Sequence, residues 1–197
     1  MGRLVVVAGG SRSGKSAYAE QWVKEYCDEQ QCCVFYVATG WVSSGEFPNE
    51  VLSNGEPSDA EFSERIAKHR QRRPQGWRTI EEPCELPQAL ETAPIPSDCD
   101  AVFLVDGIGT WIANLMYIKG VSTEDACRNY AERLLDVCRQ KPGVVVAVVD
   151  EVGMDVVPEH KEGRIFRDLN GMVNQMLAAH AAEVYFVVCG IPVKVKG

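Results

Sequence analysis

Residues 9–16 read Gly9-Gly10-Ser11-Arg12-Ser13-Gly14-Lys15-Ser16, between an apolar run at 4–8 and a helix-compatible stretch at 17–23. In this setting the pattern G-x-x-x-x-G-K-S is that of a phosphate-binding loop, whose glycines let backbone N–H groups converge on phosphate oxygens. A glycine-rich turn that binds nothing is the alternative, but the motif, the strand and the helix agree. We therefore predict that all eight residues bind a nucleoside triphosphate.

Two side chains of this loop have distinct predicted roles. Lys15 reaches the terminal phosphates, and the Ser16 hydroxyl holds Mg²⁺. Magnesium on a nucleotide takes one or two protein oxygens and keeps its other waters. The apolar stretch 101–105 ends in Asp106, which is the form of a Walker B strand whose carboxylate aids magnesium binding. The sequence thus predicts a magnesium site at Ser16, with Asp106 as a second candidate ligand.

Apolar runs alternate with helix-compatible segments along the rest of the chain. Strands are predicted at 32–38, 77–81, 101–106, 144–149 and 183–189, with an edge strand at 193–196. Helices are predicted to end near 28 and to cover 58–73, 85–91 and 163–182. Residues 111–116 predict a further helix, and residues 122–125 cap another that reaches about 139. This alternation predicts an α/β, P-loop NTPase-like fold: a mostly parallel sheet flanked by helices, in a single domain over 1–197. Residues 42–57 form an irregular excursion, which is a functional lid or a surface insertion.

Composition limits the function classes. The 197 residues carry a net charge of −8, which argues against a general nucleic-acid or anionic-membrane surface. No segment approaches the roughly eighteen apolar residues of a membrane span, and the first apolar run is too short for a signal peptide, so a cytoplasmic protein is expected. The eight cysteines have no regular spacing, and we predict that they are reduced and mostly buried.

A basic cluster surrounds His69 on the helix predicted at 58–73. Its members are Arg65, Lys68, Arg70, Arg72 and Arg73. In an acidic protein this cluster supplies a local positive field that keeps an imidazole neutral and nucleophilic and that neutralises phosphates. The alternative is a solvated helix face with no catalytic role.

Several stretches, in order along almost the whole chain, resemble one family. Besides the phosphate loop they are residues 36–39, 65–70, 73–74, 77–79, 111–115, 151–154, 157–158, 166–168, Gly171 and 174–175. Together they resemble the bifunctional adenosylcobinamide kinases / adenosylcobinamide-phosphate guanylyltransferases of cobalamin biosynthesis. The resemblance implies that ATP or GTP phosphorylates a corrinoid hydroxyl, after which GMP passes from GTP to the phosphorylated corrinoid.

The resemblance also implies roles for particular residues. His69 matches the histidine that attacks the α-phosphorus of GTP and carries GMP as a phosphoramidate. Positions matching guanine-nucleotide contacts are Thr39, Gly40, Trp41, Arg70, Gln71, Arg72, Arg73, Glu81 and Asp106. A carboxylate reads guanine well because it accepts from N1–H and the exocyclic amine together. Glu81 or Asp106 is expected to do so, which leaves Asp106 with two candidate roles, magnesium or guanine.

The family further implies a homotrimer whose partners are the corrinoid and the nucleotides. Asp150 stands where members commonly have asparagine, and a carboxylate there would repel phosphates unless magnesium or a basic group faces it. Two alternatives to the bifunctional enzyme stay open. One is a protein that keeps only one of the two activities, and the other is a nucleotide-dependent switch without catalysis.

Overall fold

A computed structural model of the chain describes residues 2–40 and 76–197, which form one seven-stranded sheet flanked by helices. The strands are β1 (Arg3–Gly9), β2 (Cys32–Ala38), β3 (Arg78–Glu81), β4 (Asp100–Asp106), β5 (Val144–Asp150), β6 (Glu183–Val188) and β7 (Ile191–Lys196). The helices are α1 (Lys15–Asp28), α2 (Leu86–Thr92), α3 (Ile108–Lys119), α4 (Glu124–Gln140) and α5 (Lys161–His180).

The strands lie in the order β3-β2-β4-β5-β1-β6-β7. All neighbouring pairs are parallel except β6 and β7, which are antiparallel. The register sets Gly9 beside Asp150 and aligns Ala38 with both Asp106 and Glu81. The carboxyl ends of the six parallel strands, β1 to β6, therefore share one edge, which is where open α/β sheets bind ligands.

Apolar packing covers both faces of the sheet. Residues 144–149 of β5 are all buried, as expected for a central parallel strand covered on both sides. One face packs against α2 to α5 around the fully buried Trp111, and the other packs against α1 through Ala19 and Val23. The mostly parallel α/β fold predicted from the sequence is confirmed.

Most predicted boundaries agree with the structure. The Thr123 side chain caps α4 by accepting a hydrogen bond from the Ala126 amide, and β7 is an exposed edge strand. Helix α5 begins at Lys161 and ends at His180, two residues before the predicted bounds at each end. The excursion at 42–57 and the helix at 58–73 lie outside the described residues. Within 2–40 and 76–197, no helix is long and apolar enough to cross a membrane.

The prediction that every cysteine is reduced is wrong in this structure. Cys33 and Cys99 form a disulfide with 5.8 Å between their Cα atoms. Cys33 lies on β2 and Cys99 directly precedes β4, and these strands are parallel neighbours, so residues 66 positions apart meet. The other six cysteines are free, as predicted. Burial raises the pKa of Cys127 to about 11, which keeps that thiol protonated.

Candidate active site

The phosphate-binding loop joins β1 to α1 at the carboxyl edge of the sheet. Gly14 precedes the helix with a φ of 93°, and Arg12 also has a positive φ, 56°. No side chain caps the start of α1, which leaves its first N–H groups for a ligand. A Cβ at Gly9 would lie 2.8 Å from the Val187 carbonyl oxygen, so a side chain at this position would force the backbone to shift. The geometry suits the binding of phosphate oxygens.

The turn between β6 and β7 supports the back of this loop. The Gly190 amide donates a hydrogen bond of 2.8 Å to the Ser13 carbonyl, and the Ser13 amide donates to the Gly10 carbonyl. A Cβ at Gly14 would lie 3.2 Å from the Gly190 Cα. Sequence reasoning missed Gly190, because a glycine in a predicted turn carries no sign of which loop it contacts.

The Lys15 ammonium is already engaged. Its Nζ lies 2.8 Å from Asp150 Oδ1 and donates to the Gly10 carbonyl at 3.1 Å. The Lys15 side chain is 10% exposed, whereas that of Asp150 is 31% exposed. Of the two partners considered for the Asp150 carboxylate, magnesium or a basic group, the structure shows a basic group, which is the lysine of the phosphate loop itself.

The backbone of Asp150 is anchored by α5. Its carbonyl accepts hydrogen bonds from the side-chain amides of Asn170 at 2.7 Å and Asn174 at 2.9 Å. The amide of Glu151 donates to the Gly9 carbonyl at 3.0 Å, which ties the end of β5 to the start of the loop. These asparagines were not assigned a role from the sequence, because their partner lies about twenty residues away on another element.

Ser16, Asp106 and Tyr36 form a second polar cluster. The Ser16 hydroxyl donates to Asp106 Oδ1 at 3.2 Å, and the Tyr36 hydroxyl donates to Asp106 Oδ2 at 2.6 Å. Ser16 and Asp106 are hard oxygen donors of the kind that magnesium prefers, and nucleotide-bound magnesium needs only one or two of them. The described residues contain no cluster of three or more acidic, histidine or cysteine side chains that could hold a metal ion.

Thr39 is fully buried and holds the chain that follows Asp106. Its Oγ1 donates to the Gly107 carbonyl at 2.7 Å and accepts from the Gly107 amide at 2.9 Å. The side-chain amide of Asn114 donates to the carbonyls of Thr39 and Pro83. The Thr39 side chain is therefore engaged by backbone groups, while Gly40 beside it is half-buried.

Of the remaining predicted residues, one lies in the described part of the chain and the others lie outside it. Glu81 ends β3 and is exposed, on the far side of β2 from Asp106. Parallel neighbours are spaced about 4.8 Å apart, so strand ends separated by β2 lie about 10 Å apart. The other predicted residues lie outside the described ranges: Trp41, His69, Arg70, Gln71, Arg72 and Arg73.

Comparison with known proteins identifies a family whose model matches this chain. Residues 5–195 match the model of the family described as cobinamide kinase / cobinamide phosphate guanyltransferase. The bifunctional adenosylcobalamin biosynthesis protein CobU of Salmonella typhimurium is 39% identical over 203 residues, covering 98% of this chain and 99% of that protein. Its Escherichia coli namesake is 36% identical with the same coverage. The corresponding CobP of Pseudomonas aeruginosa is 33% identical, covering 98% of this chain and 96% of that protein.

Solved structures with a similar fold are distant in sequence. The ATPase domain of G40P superposes with a TM-score of 0.51 at 13% identity, covering 93% of this chain and 68% of that one. The flagellar accessory protein FlaH of Methanocaldococcus jannaschii gives 0.50 at 14% identity, covering 98% and 78%. These likenesses concern the fold alone.

Proposed function

Because this chain belongs to the cobinamide kinase / cobinamide phosphate guanyltransferase family, we propose that its phosphate loop and its basic histidine segment carry the two successive transfers. The observation that carries the proposal is the convergence of Lys15, Ser16 and Asp106 at one sheet edge, in a chain that matches the family from end to end. The enzyme phosphorylates a corrinoid hydroxyl and then attaches GMP to that phosphate.

In the kinase step the chain positions a triphosphate. The loop N–H groups and the start of α1 bind phosphate oxygens, and Lys15 contacts the terminal phosphates. Ser16 and Asp106 would hold magnesium, which when bound would neutralise charge on the transferring phosphoryl group. The bond from γ-phosphorus to its bridging oxygen breaks, the bond to the corrinoid oxygen forms, and the hydroxyl proton is released.

In the guanylyl step His69 is the proposed nucleophile. A ring nitrogen forms a bond to the α-phosphorus of GTP, and pyrophosphate leaves with the electrons of the broken P–O bond. The corrinoid phosphate then displaces the imidazole and takes the GMP. Arg70, Gln71, Arg72 and Arg73 are proposed to contact the nucleotide, together with Thr39, Gly40 and Trp41. The covalent intermediate divides one difficult transfer into two easier ones.

The two candidate roles of Asp106 separate in this proposal. Both of its carboxylate oxygens accept hydrogen bonds at the phosphate loop, from Ser16 and Tyr36, which favours magnesium for Asp106. Glu81 is then the proposed reader of guanine, since its exposed carboxylate stands about two strands away, clear of the terminal phosphates.

We further propose that the enzyme acts in the cytoplasm as a homotrimer. The edge strand β7 leaves Ile191, Val193 and Val195 between 49% and 65% exposed, which supports association. Light scattering should give a mass three times the 21.7 kDa of one chain, and a mass of one chain contradicts the trimer.

Separate assays of the half-reactions test the bifunctional proposal. Labelled γ-phosphate from ATP or GTP should appear in cobinamide, and labelled GMP from GTP should appear on separately prepared cobinamide phosphate. Lys15→Ala should abolish the first transfer. If the wild type catalyses only one of the two transfers, the single-activity alternative is supported. If it binds triphosphate but catalyses neither transfer, the nucleotide-dependent switch is supported.

A further inference from the structure

Asp150 is a charged group at the phosphate loop that neither transfer step uses. We propose that Asp150 is a positioning residue that acts through Lys15: it holds the ammonium in the nucleotide-free enzyme and yields it to the terminal phosphates of a bound triphosphate. This inference rests on the proposed triphosphate site. The competition between the Asp150 carboxylate and the phosphates then sets how tightly nucleotide binds.

The first support is the contact itself. The Lys15 Nζ lies 2.8 Å from Asp150 Oδ1, and its other described contact of this kind is the Gly10 carbonyl at 3.1 Å. A lysine side chain that is 10% exposed needs such partners, because an ammonium removed from water without a counter-ion is costly. The phosphate-binding cation is therefore satisfied before any nucleotide arrives.

The second support is that the backbone of Asp150 is held in place, whereas Lys15 has a long side chain. The Asp150 carbonyl is held by Asn170 and Asn174, and the next amide is bonded to Gly9. A Cβ at Gly109 would lie 2.4 Å from Asp150 Oδ2, so the glycine leaves the space that the carboxylate occupies. Rotation of the Lys15 side chain, which has four rotatable bonds, is thus sufficient for the exchange of partners.

The sign of the effect follows from charge. A bound triphosphate must take Lys15 from its carboxylate partner, and its own negative charge is repelled by that carboxylate at short range. Both effects weaken nucleotide binding in the wild type. Asp150→Asn replaces the carboxylate with an amide of the same shape, which removes the ion pair with Lys15 and the repulsion of the phosphates, so this variant should bind triphosphate more tightly. It should also be less stable without nucleotide, because Lys15 then lacks a counter-ion.

The test compares Asp150→Asn with Asp155→Asn at constant ionic strength. Asp155 is exposed and accepts a hydrogen bond from the Val156 amide, so this control makes the same chemical change outside the Lys15 contact. Calorimetry with magnesium and the β,γ-imido analogue of ATP should give a dissociation constant about tenfold lower for Asp150→Asn and unchanged for Asp155→Asn. The nucleotide-free unfolding temperature should fall for Asp150→Asn alone.

The route through Lys15 is tested in a Lys15→Met background. In that background Asp150→Asn should increase the affinity for the ATP analogue by a smaller factor, because the substitution then removes only the repulsion between the Asp150 carboxylate and the phosphates. If Asp150→Asn is poorly folded by circular dichroism, Asp150→Ser makes the same charge change in less volume beside Gly109, and the same gain is expected.

Two results would overturn the inference. One is equal or weaker analogue binding by the folded Asp150 variant, and the other is an equal gain in the Lys15→Met background. A wild type that binds no triphosphate under any condition removes the proposed function and this inference together. Equal binding by wild type and variant removes the inference alone.

Discussion

Asp106 receives a hydrogen bond on each of its carboxylate oxygens, from Ser16 on the phosphate loop and from Tyr36 on β2. Lys15 is held in the same way by Asp150 and the Gly10 carbonyl. The Asp106 carboxylate is therefore oriented before substrate arrives, which lowers the entropy lost when it binds, whereas Lys15 has to exchange Asp150 for the phosphates. At the scale of single residues, we expect function to depend on the residues that contact nucleotide or magnesium and also on the neighbouring residues that hold those side chains.

Tyr36→Phe tests that dependence. Loss of the hydroxyl removes the 2.6 Å hydrogen bond that orients Asp106, and outer partners of a metal ligand are typically worth about 10- to 100-fold in metal affinity or activity. We expect the kinase step to need about tenfold more magnesium for half-maximal rate. The control is Tyr117→Phe, because that ring is 58% exposed on α3. An unchanged magnesium requirement in Tyr36→Phe would refute the positioning role of the tyrosine.

At the scale of elements, the β6–β7 hairpin supports the phosphate loop and is itself tied to the sheet by Glu183. This buried carboxylate accepts hydrogen bonds from Arg3 of β1, Tyr185 of β6 and Lys194 of β7. Burial raises its pKa, but these three hydrogen bonds outweigh burial and hold the pKa below its ordinary value of 4.5. Glu183 thus joins three strands through one charge.

Glu183→Gln should lower the free energy of unfolding by about 1–2 kcal/mol at pH 7. Because the folded pKa is depressed, the wild-type contribution is complete above the unfolded pKa and is lost as the pH falls through the folded value. The difference between variant and wild type should therefore shrink below about pH 4.3. Denaturant titrations at several pH values measure it. Glu132→Gln, on the exposed face of α4, should show no such difference, and a pH-independent loss in Glu183→Gln would exclude the ionic account.

The disulfide between β2 and the segment before β4 is a second test at this scale. Thiol titration of the denatured, unreduced protein should find six reactive groups among the eight cysteines. Replacing Cys33 and Cys99 with serine should lower the free energy of unfolding by about 2–4 kcal/mol under oxidising conditions. Eight reactive thiols would show that the bond does not form in the isolated protein.

At the scale of the whole molecule, the apolar runs predicted the strands well because central parallel strands are buried on both faces and leave an uninterrupted signal. The order of those strands in the sheet could not be predicted, because hydrophobic periodicity identifies a strand but does not identify the strands beside it. Asp150 meets Lys15 only because β5 lies between β1 and β4. The Tyr36 hydroxyl, the Cys33–Cys99 pair and the Gly190 contact depend on long-range pairing in the same way. Sequence reasoning therefore identified the candidate phosphate loop and the strand that ends in Asp106, and it missed most of the groups that contact them.

The central claim is that one chain performs two transfers, of which the second passes through a guanylylated histidine. The most direct measurement mixes the protein with magnesium and GTP labelled in the α-phosphate, denatures it, and asks whether label remains attached. We expect retained label that is acid-labile and base-stable, present in the wild type and in His160→Ala, and absent in His69→Ala. Label retained in His69→Ala, or no retained label in a wild type that binds triphosphate, would contradict it.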